Sequence, residues 1–236
     1  MSRPSTGFDR LARWYRALEL AAFGRDLERA RFAFLGRLAR SREILLLGEG
    51  DGRCAQRLSQ LAPEARILCV DSSPGMIERA ERRLAGSAAR ERVAFACADL
   101  LQFAPDPGRF DAVATFFVLD CFDAAGVESI VSRTAAALRP GALWLFADFV
   151  LPRQGLARLR ARVWLASLYA FFRWETGLAV SSLPPSQEIL ERSGWLTMAS
   201  RELQRGMIRS CVLARGPVPA RASLELDRHL QDAGRD

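Results

Sequence analysis

Four aspartates stand at the ends of separate apolar runs: Asp71 after "RILCV", Asp99 after "RVAFACA", Asp120 after "FFVL" and Asp148 after "LWLFA". A fifth carboxylate, Glu49, sits inside "LGEGDGR", where Gly48, Gly50 and Gly52 alternate with polar residues. Carboxylates accept hydroxyl or amino hydrogens, balance a cation, or take a proton in a reaction. Glycines directly after a buried strand let the backbone approach a ligand and present a helix N-terminus to it. The chain has no lysine, and all 34 basic residues are arginine. The phosphate-loop pattern Gly-Lys-Ser/Thr is therefore absent, and Arg53 stands where a dinucleotide G-x-G-x-x-G motif would place its last glycine. G-x-G-x-G alone could be a plain tight turn; the acidic strand ends downstream of it give it meaning.

The elements that must position these residues are legible from periodicity. Apolar residues at helical spacing, such as Leu11, Trp14, Tyr15 and Leu18, predict one or two helices within residues 8–39. From position 43 short apolar runs predict strands at 43–48, 66–71, 92–96, 110–117 and 142–149, with helices at 52–61, 74–85 and 126–138 between them. Such alternation implies a Rossmann-like, doubly wound, mostly parallel sheet covered on both faces, with ligands beyond the carboxyl ends of the strands. In that frame Asp71 ends the second strand, where a carboxylate can take both hydroxyls of a ribose. Pro140-Gly141 marks the turn that ends a helix and launches the fifth strand.

Beyond 150 the alternation breaks. Residues 154–175 predict a long arginine-rich amphipathic helix, followed by a loop with Pro184-Pro185 and a helix "SQEILERSGW" with Gly194 as its C-cap. Two further strands, at 196–203 and 207–214, complete a seven-stranded sheet. The expected organisation is a single domain over 1–216, with a helical lid at about 154–186 and a polar tail at 217–236.

Length and composition agree with one core: 236 residues, 50% hydrophobic. No stretch reads as a transmembrane helix, and "MSRPSTGFDR" has no apolar signal core, which predicts the cytoplasm. The five cysteines (54, 69, 97, 121 and 211) are dispersed, as reduced thiols and not a disulfide framework or metal site. The net charge of +7 comes from arginines spread along the whole chain, which reads as a solvated basic surface.

With the glycine turn, Asp71, Asp99 and the ends of strands four and five in this order, the chain resembles the class I S-adenosylmethionine-dependent methyltransferases from about Phe8 to Leu213. Its opening "FDRLARWY" is similar to that of the ubiquinone/menaquinone-biosynthesis type of small-molecule methyltransferase. The resemblance implies S-adenosyl-L-methionine as cofactor, S-adenosyl-L-homocysteine as product, and no metal. It implies that Gly48, Gly50 and Gly52 surround the methionine part, that Asp71 binds the ribose, and that Met76, or Ser72 beside it, flanks the adenine. Asp99 would accept from the adenine amino group beside the Leu100 backbone, Phe117 would line the cofactor's cleft, and Tyr15 would close over it. The family's acidic residue two places before the first glycine is Leu46 here. Glu49 either supplies that charge next to the cofactor's ammonium or faces solvent.

Methyl transfer from a sulfonium is an in-line displacement of an activated leaving group, so positioning alone can contribute about 7–11 kcal/mol. A base is needed where the acceptor carries a tightly held proton. The one histidine, His229, falls in the tail, so the catalytic candidates are Asp120 and Asp148, with a helix N-cap and a loop salt bridge as their structural alternatives. Phe116, Phe117 and Phe122 read as wall or core. The fourth strand lacks the Asn/Asp-Pro-Pro-aromatic turn of base-modifying enzymes, which argues against nucleic acid as substrate. Trp164, Leu168, Tyr169, Phe171 and Phe172, edged by Arg173 and Glu175, suggest an apolar lining and hence a small hydrophobic or aromatic acceptor, methylated at oxygen or carbon. The same helix could equally do no more than cover the sheet edge. The competing classes are a nicotinamide oxidoreductase and a non-catalytic cofactor-binding module, the latter with peripheral membrane contact through the basic helix. Nothing in the residue pattern sets an oligomeric state.

Overall fold

A computed structural model describes residues 19–20, 22–152, 154–176 and 183–215, without the side chains of 157 and 168–176. The aliphatic run Ile44–Leu47 has no polar face, and a strand of that kind can be satisfied only inside a sheet. Accordingly β1 (Glu43–Leu47) is flanked on both sides by parallel partners, β2 (Arg66–Asp71) and β4 (Phe110–Phe116). With β3 (Val93–Cys97), β5 (Leu138–Phe149), β6 (Trp195–Leu203) and β7 (Ile208–Arg215) the sheet has seven strands in the order β3-β2-β1-β4-β5-β7-β6. Only β7 runs against its neighbours, pairing antiparallel with both β5 and β6. The doubly wound expectation holds, in a mixed sheet.

Strand alternation sorts the core into two faces. Ile44, Leu46, Leu145, Ala147 and Phe149 pack with α1 (Asp26–Phe32), α2 (Arg53–Leu61), α3 (Pro74–Leu84) and Ala161 and Leu165 of α5 (Gly155–Thr176). Leu45, Leu47, Trp144 and Phe146 pack on the other face with α4 (Ala124–Ala137) and α6 (Ser186–Arg192). Trp144 Nε1 donates to Thr115 Oγ1 at 2.9 Å, whereas the indole nitrogen of the neighbouring, equally buried Trp195 has no hydrogen-bond partner among the described residues.

Two local expectations shift. The fifth strand starts at Leu138, not 142: Leu138 pairs with Phe110, and Ala112 next pairs with Leu143, so 139–142 bulge out around Gly141 at φ 79°. Pro140-Gly141 thus sits in a bulge inside the strand, not in a turn before it. At the N-terminus, the described residues of 8–39 give a helical stretch through residues 22–23, α1, and a 3-10 turn at Leu35–Leu38. Tyr15, the opening "FDRLARWY", His229 and the tail 217–236 lie outside the described residues. The helix expected over "SQEILERSGW" ends at Arg192 with Ser193, not Gly194, as its C-cap, and elsewhere the predicted boundaries fall within about two residues of those observed.

Candidate functional site

The three glycines are all left-handed, at φ 69°, 69° and 84° for Gly48, Gly50 and Gly52, but each for a different reason. A Cβ on Gly48 would lie 2.3 Å from Val118 Cγ2, and one on Gly52 would lie 2.6 Å from the Ala80 Cα of α3. These two glycines let the turn pack against the β4 exit and against α3. A Cβ on Gly50 would meet nothing within 4 Å. Gly50 is thus the point where the turn faces open space, at the carboxyl end of β1.

Asp71 spans this turn and the next. Its Oδ2 accepts from the Gly50 N–H at 2.8 Å and its Oδ1 from the Ser73 N–H at 2.9 Å. A carboxylate has about four acceptor positions, so two backbone bonds can orient Asp71 while ligand hydroxyls are accepted as well. Ser73 is the N-cap of α3, accepting from Met76 N at 3.2 Å, with Pro74 at the first helical position. That cap buries Met76 at the edge of the cleft next to Ser72, which is half-buried.

Glu49 is half-buried and turned onto the start of α2, not free in solvent. Its Oε1 accepts from the Ala55 N–H of α2 at 2.8 Å, so it takes a helix-terminus donor that a ligand carboxylate would otherwise use. Removal from water pushes its carboxyl up to about 8, and the nearby Asp51 and Asp71 add to this against the Ala55 N–H and Arg31. Removal from water thus favours the neutral form of Glu49, and an approaching cation would favour the charged one.

Around the glycine turn runs an ionic chain that sequence reading missed. Glu19 pairs with Arg31 and, at 2.8 Å, with Arg53; Arg53 Nε reaches Asp51 at 2.9 Å, and Arg83 donates to the same aspartate. Burial raises the Glu19 and Asp51 carboxyls, but the flanking guanidinium groups outweigh it and hold both below their usual range. Its members come from four separate segments, so no local spacing could have announced it. Through it the Arg53 side chain ties the turn to the N-terminal helical stretch.

The ends of β4 and β5 carry two distinct groups on opposite faces of the sheet. On the face of α1 and α5, Phe149 stacks 5.2 Å from both Phe23 and Phe117, Trp164 meets Phe23 edge-on at 6.1 Å, and Arg31 lies 5.2 Å over the Phe117 ring. Phe117 has φ 53°, a left-handed conformation unusual for an aromatic residue, at the point where the chain leaves β4. On the α4 face, Asp148 is 1% exposed and continues the side of Trp144 and Phe146. Its Oδ1 accepts from the Phe149 N–H at 2.8 Å, while its Oδ2 has no hydrogen-bond partner. Burial, then the Asp120 charge, push the Asp148 carboxyl well above the usual carboxylate range.

Asp120 lies in the 3-10 turn Leu119–Cys121, two residues beyond the Val118 that touches Gly48. Neither structural alternative for this pair is realised: the N-cap of α4 is Asp123, accepting from Gly126 N at 2.8 Å, and Asp148 accepts from its own neighbour's backbone instead of pairing with a cation. The structure thus brings Asp120 and Asp148 together, but behind the sheet edge from the aromatic group. Asp99 is exposed and accepts from the Leu101 N–H at 2.9 Å, ordering the turn that follows β3, and the Leu100 carbonyl accepts from Arg133. Among the described residues no group of three or more His, Cys, Asp or Glu could hold a metal ion.

Residues 44–141 match the methyltransferase domain family. A trans-aconitate 2-methyltransferase of Methylobacterium nodulans is 36% identical over 104 residues, 44% of this chain and 37% of that protein. The chain thus aligns with little over a third of the length of that curated relative. Among solved structures, the Burkholderia thailandensis 1,6-didemethyltoxoflavin-N1-methyltransferase, with its substrate and S-adenosylhomocysteine bound, superposes with TM-score 0.62 at 16% identity over 92% of each chain. A mitomycin 7-O-methyltransferase superposes with TM-score 0.63 at 20% identity, covering 89% of this chain and 61% of that one.

Proposed function

The chain has the fold of the class I S-adenosylmethionine-dependent methyltransferases, and from it we propose an enzyme that methylates a small hydrophobic or aromatic molecule using S-adenosyl-L-methionine. One observation carries this reading: Gly50 opens onto free space while its N–H is held by Asp71, which orients a carboxylate at the strand end that suits a ribose. The residues present fit the cofactor. Asp71 would take the ribose hydroxyls, Met76 and Ser72 would flank the adenine, Asp99 and Leu100 would meet its amino edge, and Glu49 would meet the ammonium beside Gly48. Phe117 and Tyr15 complete this proposed set. The bound cofactor would supply an activated methyl group.

The protein's own part is to position the acceptor and accept its proton. Phe23, Phe117, Phe149 and Trp164 form an apolar wall at the ends of β4 and β5, which supports a flat or greasy acceptor. Helix α5 brings Trp164 to that wall and acts as the lid. Burial and the Asp120 charge favour the protonated form of Asp148, which leaves Asp120, in the turn beside Gly48, as the proposed acceptor for a proton. The relatives named for trans-aconitate, mitomycin and 1,6-didemethyltoxoflavin all act on small molecules, at oxygen in one case and nitrogen in another. We place the enzyme in the cytoplasm. Calorimetry tests the core of the proposal: S-adenosylhomocysteine should bind and NAD should not, and the opposite result would return the chain to the oxidoreductases.

A further inference from the structure

Helix α5 turns two sides to its surroundings. Ala161 and Leu165 are buried against the sheet, whereas Leu156 is 85% exposed, Leu159 61% and Val163 61%. At 100° per residue these three fall within one narrow stripe, with Arg160 on one flank and Arg162 on the other, both exposed. Arg158 adds a third guanidinium in the same turns. The first acidic residue of the helix is Glu175, at its far end. A soluble protein gains nothing from three large aliphatic side chains standing in water along one line.

We propose that this face of α5 docks the protein on an anionic lipid bilayer, with Leu156, Leu159 and Val163 entering the acyl boundary and the flanking arginines on the phosphates. A helix with an apolar stripe and basic borders lies in the plane of an interface, and guanidinium groups bind phosphate in a bidentate fork. Charge selects this occupant over a second copy of the chain. Two such stripes packed together would set two rows of arginine against each other, with no carboxylate between residues 155 and 174 to separate them. The net charge of +7 favours the same partner at longer range. Trp164, on the border between this face and the Phe23–Phe149 cluster, then lies at the bilayer surface beside the apolar wall. The docking itself does not depend on the methyltransferase reading.

Co-sedimentation of the full chain with vesicles tests it, using equimolar phosphatidylglycerol and phosphatidylcholine against phosphatidylcholine alone. The protein should bind the anionic vesicles at least tenfold more strongly, and raising the salt should weaken that binding. The double variant Leu159→Gln/Val163→Gln changes only exposed positions and should lose at least tenfold in vesicle binding, with its thermal unfolding unchanged. Arg160→Gln/Arg162→Gln should abolish the preference for anionic vesicles. Equal vesicle binding by the leucine–valine variant would overturn the proposal, since a diffuse basic surface would then suffice. So would absence of vesicle binding, or a wild-type dimer that the same variant converts to monomer, which would make the stripe a self-interface.

Discussion

The two halves of the cleft are built on different principles. Around β1 and β2 the site is made of backbone: three left-handed glycines, the Gly50 and Ser73 N–H groups on Asp71, and an ionic chain that fixes the turn from outside. At the ends of β4 and β5 it is made of side chains: four aromatic rings from the N-terminal helical stretch, the two strand ends and α5, and a buried acid pair behind them. Backbone constraints restrict which residues are tolerated, so a shared cofactor leaves a readable pattern. Side-chain walls can be rebuilt residue by residue, so an acceptor leaves only composition. The contrast accounts for a proposed cofactor that can be named outright and a proposed acceptor that can be given only as a chemical class.

Within the first half, the glycines provide the sharpest break. Gly52→Ala combines a left-handed φ with a Cβ 2.6 Å from the Ala80 backbone, which cannot move without shifting α3. Left-handed strain of about 1–2 kcal/mol and overpacking of about 1–3 kcal/mol should add. Gly50→Ala meets no atom and should cost only the strain, about 1–2 kcal/mol, while obstructing the space that the cofactor would fill. Urea unfolding should therefore rank Gly52→Ala as clearly the less stable variant, and S-adenosylhomocysteine calorimetry should show Gly50→Ala as the poor binder. Equal stability losses would mean that α3 yields and that the packing reading of Gly52 is wrong.

Asp71→Ala comes next. It removes the acceptor for two backbone N–H groups as well as the proposed ribose contact, and hydrogen bonds to a charged group are each worth about 1.5–3 kcal/mol. Affinity for S-adenosylhomocysteine should drop at least tenfold with a folded protein. Unchanged affinity would remove Asp71 from the cofactor site. Asp99→Ala, whose carboxylate is exposed and orders only the Leu101 turn, should cost less.

Legibility in the sequence divides along the same line. The strands can be read because each of β1, β2, β4 and β5 holds a short apolar run (Ile44–Leu47, Ile67–Val70, Ala112–Ala114 and Ala142–Ala147), which buried parallel strands require, whereas their order in the sheet comes only from the structure. The Ser73-Pro74 cap carries a readable signal too, an N-cap followed by proline, and the helix starts at Pro74 as expected. The fifth strand reads short because proline and glycine mark a turn in most settings, whereas here they fill a four-residue bulge opposite Asp111. The Glu19–Arg53 pair and the Phe23–Phe149 contact cannot be read at all. Each joins residues that are far apart in sequence, and a single sequence carries no signal of such pairing. Asp148 is legible as a strand-end acid, but the face on which it lies emerges only from its alternation with Trp144 and Phe146 in the folded sheet.

The acceptor half is tested by two near-isosteric changes. Burial and then the Asp120 charge favour the protonated form of Asp148, so Asp148→Asn keeps the shape and the favoured neutral state. Turnover should change by no more than about threefold. Asp120→Asn removes the proposed proton acceptor and should lower kcat more than tenfold, with S-adenosylhomocysteine affinity nearly unchanged, since general-base assistance contributes about 10²–10⁴-fold. The reverse ranking would place the charge on Asp148 and the supporting role on Asp120. Full turnover in both would make catalysis here a matter of positioning alone.

The last test follows a proton within the glycine-turn half. Glu49 is raised from an ordinary carboxylate value to about 8 in the folded protein. Between those values the folded state holds a proton that the unfolded state has released, so stability falls as pH rises. The full benefit is present at pH below the unfolded value and is gone once pH passes about 8. One such group gives a slope of at most about 1.4 kcal/mol per pH unit. Glu49→Gln should flatten the pH dependence of unfolding between pH 5 and 8. An ammonium beside Glu49 favours its charged form, so binding of S-adenosylhomocysteine at pH 7 should expel about one proton. Calorimetry in buffers of different ionisation enthalpy reads that proton directly, and Glu49→Gln should release almost none. If wild type and variant release the same number, the ammonium sits elsewhere. The Ala55 contact would then be the whole role of Glu49, as a carboxyl that closes the start of α2 and makes the glycine turn rigid.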